Sequence, residues 1–369
     1  MKQHTSAFFE LLRVGLWGKE PELDLFSSQE MEWEKVFSVA LSQTMMGVLM
    51  DGIRKLPREL QPPRRMLVNL VKMVAEIEDK NSKMNVLVPK LMNKLEENGC
   101  HVLLLKGQGA AMNYPHPEHR QPGDIDLFVG FDDADNDKAN KIIADLASYA
   151  GPNNRKRKHA EYRVKDTDVE VHGNVSCVVN KQLETQYPLW ARERLAMPPV
   201  TFRSRFGNIS IPHRNFDAIY IFTHMFNHFM GGGVGLRQVC DWMMLLHKNR
   251  EKIDMEMLKA DVKRLGIEKP WRVFASLCVI YLGCPKDSMP LYDTAYDKKA
   301  RRAMSHIFKT GNFGTLQKDK QLSSDSNKWV KKFVTFLGQL PVYADVLPQF
   351  PQETVYCFKK FVIRGAELD

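Results

Sequence analysis

The stretch LLLKGQGAAMNYPHPEHRQPGDIDLFV, residues 103–129, combines a short apolar run, a glycine turn and two closely spaced aspartates. The run from Val102 to Leu105 has the length of a buried strand. Lys106-Gly107-Gln108-Gly109 then breaks it with two glycines, which let backbone N–H groups approach a ligand closely. Residues 110–114 can begin a helix at this point. Backbone N–H groups at a helix N-terminus, with a lysine beside them, predict a phosphate-binding site.

A proline-rich segment separates this turn from the two aspartates. The three prolines within residues 115–122 lack the N–H group that regular structure needs, so we expect a loop before strand character resumes in residues 123–129. Side chains two positions apart share one face of a strand, so Asp124 and Asp126 should point the same way. Two like charges this close need a cation. Mg²⁺, or Mn²⁺, held by carboxylates and substrate phosphates is the expected occupant.

The composition of the whole chain is that of an ordinary globular protein. Of 369 residues, 44% are hydrophobic and 26% charged, which disfavours disordered and fibrous classes and allows more than one core. The formal net charge of +9 suits polyanionic partners such as nucleoside triphosphates, nucleic acid or an anionic surface, and does not choose among them. No apolar run approaches the roughly 20 residues of a membrane span, and the six cysteines lack C-x-x-C spacing. We therefore expect a cytoplasmic protein with reduced thiols and no membrane span.

Helical patterns flank the central stretch on both sides. Apolar residues recur at three-and-four spacing before the stretch, including a long helix from about Arg64 to Asn98, and again from Asn215 onward. We predict an α+β fold in which helical N-terminal and C-terminal subdomains flank a small mixed β-sheet. The predicted divisions are residues 1–98, 99–214 and 215–369. The N-terminal helices either pack on the sheet or line a substrate pocket.

A second pair of strands is predicted around a turn at Lys165-Asp166. In the segment TDVEVHGNV, residues 167–175, polar residues alternate with valines, so Asp168, Glu170 and His172 share one face of a strand. This face could meet the strand that carries Asp124 and Asp126. A third carboxylate would then join the pair.

These motifs resemble those of the nucleotidyltransferase superfamily of the polymerase-beta type, in which a strand, a glycine turn with a helix, and a D-x-D strand follow one another. More narrowly, LKG, YP-x-P-x-x-R, GDIDLFV and VEVHG are similar to the bacterial family of uncharacterised nucleotidyltransferases, over about residues 100–245. The chain departs from the superfamily at Gly107-Gln108, where Gly-Ser is usual. Without the serine hydroxyl, phosphate positioning falls to Lys106, Gln108 and the backbone.

The resemblance implies metal-dependent transfer of a nucleoside monophosphate from a nucleoside triphosphate (NTP) to an acceptor hydroxyl, with release of pyrophosphate. Asp124, Asp126 and Glu170 would be the catalytic and metal-binding carboxylates. Glu170, which matches the family's acidic position two residues before the histidine, would also accept the proton of the acceptor. The candidates for binding the NTP are Lys106, Gly107, Gln108, Arg120, His172 and Arg237. Asp241, one helical turn after Arg237, either orients that arginine toward a phosphate or simply forms an ion pair with it.

Several alternatives remain open from the sequence. The acceptor is a small molecule, a protein side chain or an RNA end, and no specific DNA readout is expected. A different class of function, suggested by the missing serine, is a catalytically silent nucleotide-binding or toxin-neutralising partner that retained the fold. The basic run Arg155–Lys158 either touches phosphate or is a solvated turn. His224 and His228 have a spacing that can bind zinc but lack the glutamate of H-E-x-x-H, so the zinc signal is weak.

Overall fold

The computed structural model describes residues 2–27, 31–151, 159–312 and 340–366. The basic run Arg155–Lys158 lies outside the described residues. The amphipathic pattern of residues 329–340 predicts a further helix, and all of this segment except Leu340 also lies outside them. The described chain is a mixed α+β structure with helices on both sides of a sheet, as predicted.

Four helices precede the sheet, and the predicted helical character of residues 1–98 is confirmed. They are α1 (Gln3–Trp17), α2 (Trp33–Ser42), α3 (Met46–Arg54) and α4 (Arg64–Glu97). The long helix α4 begins directly after Pro63, where the N–H group that proline lacks is not needed, because the first backbone N–H groups of a helix have no partner within it. It ends before Gly99, which adopts a left-handed φ of 73°.

The central sheet has five strands in the order β1-β2-β5-β4-β3. The strands are β1 (Leu103–Leu105), β2 (Ile125–Phe128), β3 (Tyr149–Ala150), β4 (His159–Val164) and β5 (Thr167–His172). Strands β2 and β5 run parallel, and the other neighbouring pairs are antiparallel. Within this region lie the helices α5 (Gly107–Ala111) and α6 (Asp133–Leu146). The parallel pairing of β2 with β5 brings the two predicted acidic strands side by side.

The remaining elements are mostly helical and follow the sheet. A hairpin of β6 (Val200–Ser204) and β7 (Gly207–Ile211) comes after helix α7 (Lys181–Leu195). The helices that follow are α8 (Arg214–Gly231), α9 (Leu236–Lys248), α10 (Met255–Arg264), α11 (Glu268–Leu282), α12 (Asp297–Thr310) and α13 (Pro351–Ala366). No described helix is both long and apolar enough to cross a membrane. No disulfide joins the six cysteines, all of which lie in described residues.

Two hydrophobic cores organise the described chain. The smaller core joins the C-terminal half of α4 to the sheet and to β7. The larger core joins α1–α3 to helices from α7 onward, so that the two ends of the chain share one apolar interior. Trp17 in α1 extends this contact by donating its indole N–H to the carbonyl of Leu282 in α11, 2.5 Å away. The division into three segments stays a prediction.

Candidate active site

Lys106 lies between β1 and α5 and points at the aspartates. Its φ of 41° is unusual for a residue with a side chain, and such conformations persist where surrounding structure holds them in place. Its Nζ lies 2.9 Å from Oδ2 of Asp126 and 4.0 Å from Oδ2 of Asp124. Burial opposes the charge of Lys106, but the two aspartates outweigh burial and raise its pKa.

Three carboxylates converge at the point where β2 begins. In the parallel register, Asp126 lies opposite Glu170, and Asp124 directly precedes β2. One oxygen from each of the three lies within 4.8 Å of the others. Asp126 is completely buried, whereas Asp124 and Glu170 are partly exposed. Asp168 is not part of this group. Its carboxylate instead forms an ion pair with the exposed Arg163, at 2.6 Å.

The charges of this group depend on one another. Burial and the neighbouring Asp126 raise the pKa of Asp124. Burial also disfavours a charged Asp126, but Lys106 and His172 outweigh burial and hold its pKa below the usual range. His172 donates its Nε2–H to Oδ1 of Asp126 at 2.9 Å and lies 3.3 Å from Oε2 of Glu170. Although burial disfavours the imidazolium, these two carboxylates raise the pKa of His172 to about 9.

The three carboxylates fit a hard divalent cation. Oδ2 of Asp126 is buried without a well-directed hydrogen bond from any described residue, although Lys106 lies within ion-pair distance of it. Lys106 and a protonated His172 balance at most two of the three carboxylate charges, so one negative charge is left for a bound ion, and Mg²⁺ and Mn²⁺ prefer carboxylate oxygens. Asp124, Asp126 and Glu170 could therefore hold such an ion.

A cavity of about 360 Å³ opens beside the carboxylates. Residues from the turn, β4, β5, α8 and α9 line it. Among them are six of the residues predicted from the sequence, namely Lys106, Gly107, Arg120, Asp124, Glu170 and Arg237. None of the residues described before position 99 lines this cavity, so the described N-terminal helices pack against the rest of the protein and do not form this pocket.

The two predicted arginines have different partners. Arg120 donates from Nε and Nη2 to the two carboxylate oxygens of Asp241, at 2.7 and 2.8 Å, and Tyr114 donates its hydroxyl to the same carboxylate. The sequence suggested Asp241 as the partner of Arg237. The side-chain hydrogen bonds to Asp241 come instead from Arg120 and Tyr114, while the charge of Asp241 still acts to raise the pKa of Arg237, which burial lowers. Arg237 donates Nη1 to the carbonyl of Gln121 at 3.0 Å, while its Nε is buried without a described hydrogen-bond partner.

A comparison with known protein families identifies the family to which the motifs around this site point. The sequence model of the family described as "Uncharacterised nucleotidyltransferase" matches residues 29–283, which is more than half of the chain. The chain belongs to this family. The predicted resemblance is confirmed, and the protein is a nucleotidyltransferase, a transferase of phosphorus-containing groups. No curated protein and no solved structure matches the chain.

Gln108 of this nucleotidyltransferase lies near the site without reaching it. Helix α5 begins at Gly107, which directs the next side chain toward α4. There, Nε2 of Gln108 donates to Oδ1 of Asn85 at 2.8 Å and to Oδ1 of Asn81 at 3.2 Å. The structure therefore does not bring this side chain to the cavity, and a contact between phosphate and position 108 would need the backbone.

Three histidines line the cavity of the nucleotidyltransferase in addition to the predicted residues. His159 was missed, although the alternation of residues 159–164 would have placed it at the start of β4. His224 and His228 face each other on α8, with their Nε2 atoms 3.1 Å apart. Burial and the charge of Lys106 lower both pKa values, that of His228 to about 4, so both rings are neutral near pH 7. No third ligand for a metal joins this pair in the part of the chain that the structure describes.

Proposed function

We propose that this protein transfers a nucleoside monophosphate from an NTP to an acceptor hydroxyl, releases pyrophosphate and depends on Mg²⁺ or Mn²⁺. The observation that carries the proposal is the convergence of Asp124, Asp126 and Glu170 within 4.8 Å, at a cavity that Lys106 also lines. Phosphoryl transfer requires little covalent chemistry from the protein. Positioning and charge stabilisation account for most of the catalysis, and this arrangement supplies both.

The carboxylates have distinct tasks in this proposal. Asp124 and Asp126 hold the metal, and Glu170 holds the metal and accepts the proton of the acceptor hydroxyl. The ion, when bound, neutralises charge on the triphosphate and lowers the pKa of a coordinated hydroxyl. Lys106 keeps Asp126 ionised, so that this carboxylate is ready to bind a cation.

The basic side chains of the cavity would bind the phosphates. Lys106 and Arg237 both line it, and Arg237 has a buried Nε that a phosphate oxygen could satisfy. Arg120 contributes less, because Asp241 already neutralises its charge. Its bidentate contact holds the segment before Asp124 against α9.

The wall that α8 contributes differs from the charged wall opposite it. Ile221 and Met225 are apolar, and His224 and His228 are neutral near pH 7. Such a surface suits an uncharged part of a substrate, which the imidazoles could orient by hydrogen bonds. The acceptor hydroxyl would approach along this wall. Its carrier, whether a small molecule, a protein side chain or an RNA end, is the substrate that the experiment must identify.

The binding step is tested by thermal unfolding in the presence of each NTP. A triphosphate and its metal should bind together, since the aspartates repel an anion until a cation is present. Stabilisation should therefore be larger with Mg²⁺ than with EDTA. Equal stabilisation under the two conditions would contradict a metal bridge between carboxylates and triphosphate.

The transfer step is tested with labelled NTPs, Mg²⁺ or Mn²⁺, and cell extract as the source of acceptor. We expect a labelled product with the parent protein and none with Asp126→Asn. Metal-dependent NTP binding without any product, across all NTPs and extracts, would instead support the catalytically silent nucleotide-binding partner.

A further inference from the structure

A second group of possible metal ligands lies at one side of the carboxylate site. His159 in β4 lies directly opposite His172 in β5, and Glu170 is two positions before His172 on the same face. The Nε2 atoms of His172 and His159 lie 3.3 and 3.8 Å from Oε2 of Glu170. One ligand atom from each of the three residues lies within 4.8 Å of the other two.

These distances suit coordination of one ion. Ligand atoms around a tetrahedral zinc lie roughly 3.4 Å apart, given metal–nitrogen bonds of about 2.1 Å. Small side-chain rotations would bring all three atoms to that spacing. The two imidazole rings are already close, with centroids 5.2 Å apart. His159 and Glu170 both line the cavity, which leaves the remaining coordination position open to water or a substrate oxygen.

The chemistry of the ligands favours a different ion from that of the carboxylate site. Mg²⁺ prefers oxygen ligands, whereas imidazole nitrogen suits Zn²⁺ and other first-row transition ions. Two imidazoles and one carboxylate form a ligand set of the kind found in zinc enzymes with an open fourth position. Asp124, Asp126 and Glu170 offer oxygen alone. The two sets share Glu170 and differ in the two histidines.

We propose that His159, Glu170 and His172 form a transition-metal site, with Zn²⁺ as its preferred occupant. In the metal-free protein, the Nε2–H of His172 points to Asp126 and also lies close to Glu170. Binding replaces this hydrogen with the ion, and the proton passes to solvent. Because Glu170 serves both sets, Zn²⁺ in this site and an oxygen-bound Mg²⁺ compete for the same carboxylate, and the two imidazoles decide this competition in favour of Zn²⁺. Only this competition rests on the proposed transfer function, and zinc binding itself does not.

The test measures Zn²⁺ binding to the full chain without nucleotide, by calorimetry and by competition with a chromophoric chelator, in excess Mg²⁺. We expect one tight zinc per chain that Mg²⁺ does not displace. His159→Gln should weaken zinc binding roughly tenfold or more, because one ligand is lost. The matched control is His116→Gln, a change at an exposed histidine outside the cluster, which should leave the affinity unchanged.

Circular dichroism of both variants establishes that they are folded. Cobalt absorption provides a second measurement, because the visible spectrum of bound Co²⁺ depends on its ligands and should change in His159→Gln but not in His116→Gln. Equal zinc affinity in His159→Gln and the parent, or zinc binding that Mg²⁺ displaces, would overturn the proposal. These readouts need no triphosphate and no acceptor, so a protein that binds zinc but transfers nothing would refute the proposed function alone.

Discussion

Glu170 and Asp168 share a face of β5 but meet different neighbours. Glu170 lies opposite Asp126 in the parallel register with β2, where it completes the carboxylate group. Asp168 lies nearer the turn and pairs with Arg163, and both side chains are more than half exposed. Strand alternation alone could not separate the two acids, because residues two positions apart are equivalent in that pattern. The neighbouring strand distinguishes them.

We therefore predict that Glu170→Gln impairs transfer much more than NTP binding. The substitution keeps the shape of the side chain but removes its charge and basicity, so the transfer rate should fall by about 100-fold or more. The rate is measured with labelled NTP, and binding by the thermal shift. Asp168→Asn is the matched control and should transfer at nearly the parental rate. An inactive Asp168→Asn with an active Glu170→Gln would place the third carboxylate at Asp168.

Asp217 in α8 supports a prediction about pH and stability. Its side chain is buried, and its Oδ1 has no hydrogen-bond partner among the described residues. Burial raises the pKa of Asp217 to about 8, against about 3.9 in an unfolded chain. Between these values the folded state holds a proton that the unfolded state has lost. The free energy of unfolding should therefore fall as pH rises from about 4 to about 8.

Asp217→Asn removes this titration. Relative to the parent, the variant should gain stability as pH rises, by at most about 5 kcal/mol at pH values near 8. Urea unfolding of both proteins at several pH values across this range measures the difference. Asp145→Asn, at an exposed aspartate, is the control and should show no such trend. A constant difference between Asp217→Asn and the parent at all pH values would contradict the prediction.

A buried ion pair joins the segment before β2 to helix α9. Arg120 and Asp241 are both almost completely buried and are linked by two hydrogen bonds, and the hydroxyl of Tyr114 adds a third to the carboxylate. Removing one partner of such a pair leaves the other charge buried and uncompensated. The pair therefore holds Asp124, four residues after Arg120, in place beside the cavity.

We expect Asp241→Asn to lower the free energy of unfolding by about 3–5 kcal/mol. Urea unfolding measures the loss. Asp168→Asn, which breaks the exposed pair with Arg163, is the control and should cost no more than about 1 kcal/mol. The double substitution Arg120→Met with Asp241→Leu should recover part of the loss, since it leaves no buried charge. Equal effects of Asp241→Asn and Asp168→Asn would show that burial of the pair contributes nothing.

The N-terminal helices α1–α3 and the helices that follow the sheet pack around one shared core. The larger core contains residues of α1–α3 together with residues of α7–α12, and the smaller core contains residues of α4 and the sheet. Loss of residues 1–98 would therefore expose apolar surface of the C-terminal helices as well as one face of the sheet. Exposed apolar area of this extent is destabilising.

A chain that begins at residue 99 should accordingly fail to unfold cooperatively. Near-UV circular dichroism and urea unfolding measure this, and a chain that ends at residue 366 serves as the control and should unfold like the parent. A truncated protein with a sharp unfolding transition and the near-UV spectrum of the parent would instead support residues 1–98 as an independent subdomain.

Local periodicity in the sequence was sufficient to predict much of the fold and the two strands that carry the acidic residues. The long helix α4, the strand pair around Lys165-Asp166 and the shared direction of Asp124 and Asp126 all follow from patterns that span a few residues. The glycine turn between β1 and α5 was also visible, because glycines and a lysine follow an apolar run. These features depend on backbone preferences and side-chain alternation, which act between near neighbours in the chain.

Contacts between distant residues needed the tertiary structure. Arg120 binds Asp241 across 121 positions, Gln108 turns to Asn81 and Asn85 in α4, and His159 meets His172 only because β4 pairs with β5. Residue types alone do not determine which of several chemically similar side chains a given residue contacts. Burial determines the contact, because each buried polar group needs a hydrogen-bond partner among the side chains that the packed helices and strands place next to it. Local patterns in the sequence therefore specify the strands, turns and helices that carry the site, whereas packing selects which side chains face one another in it.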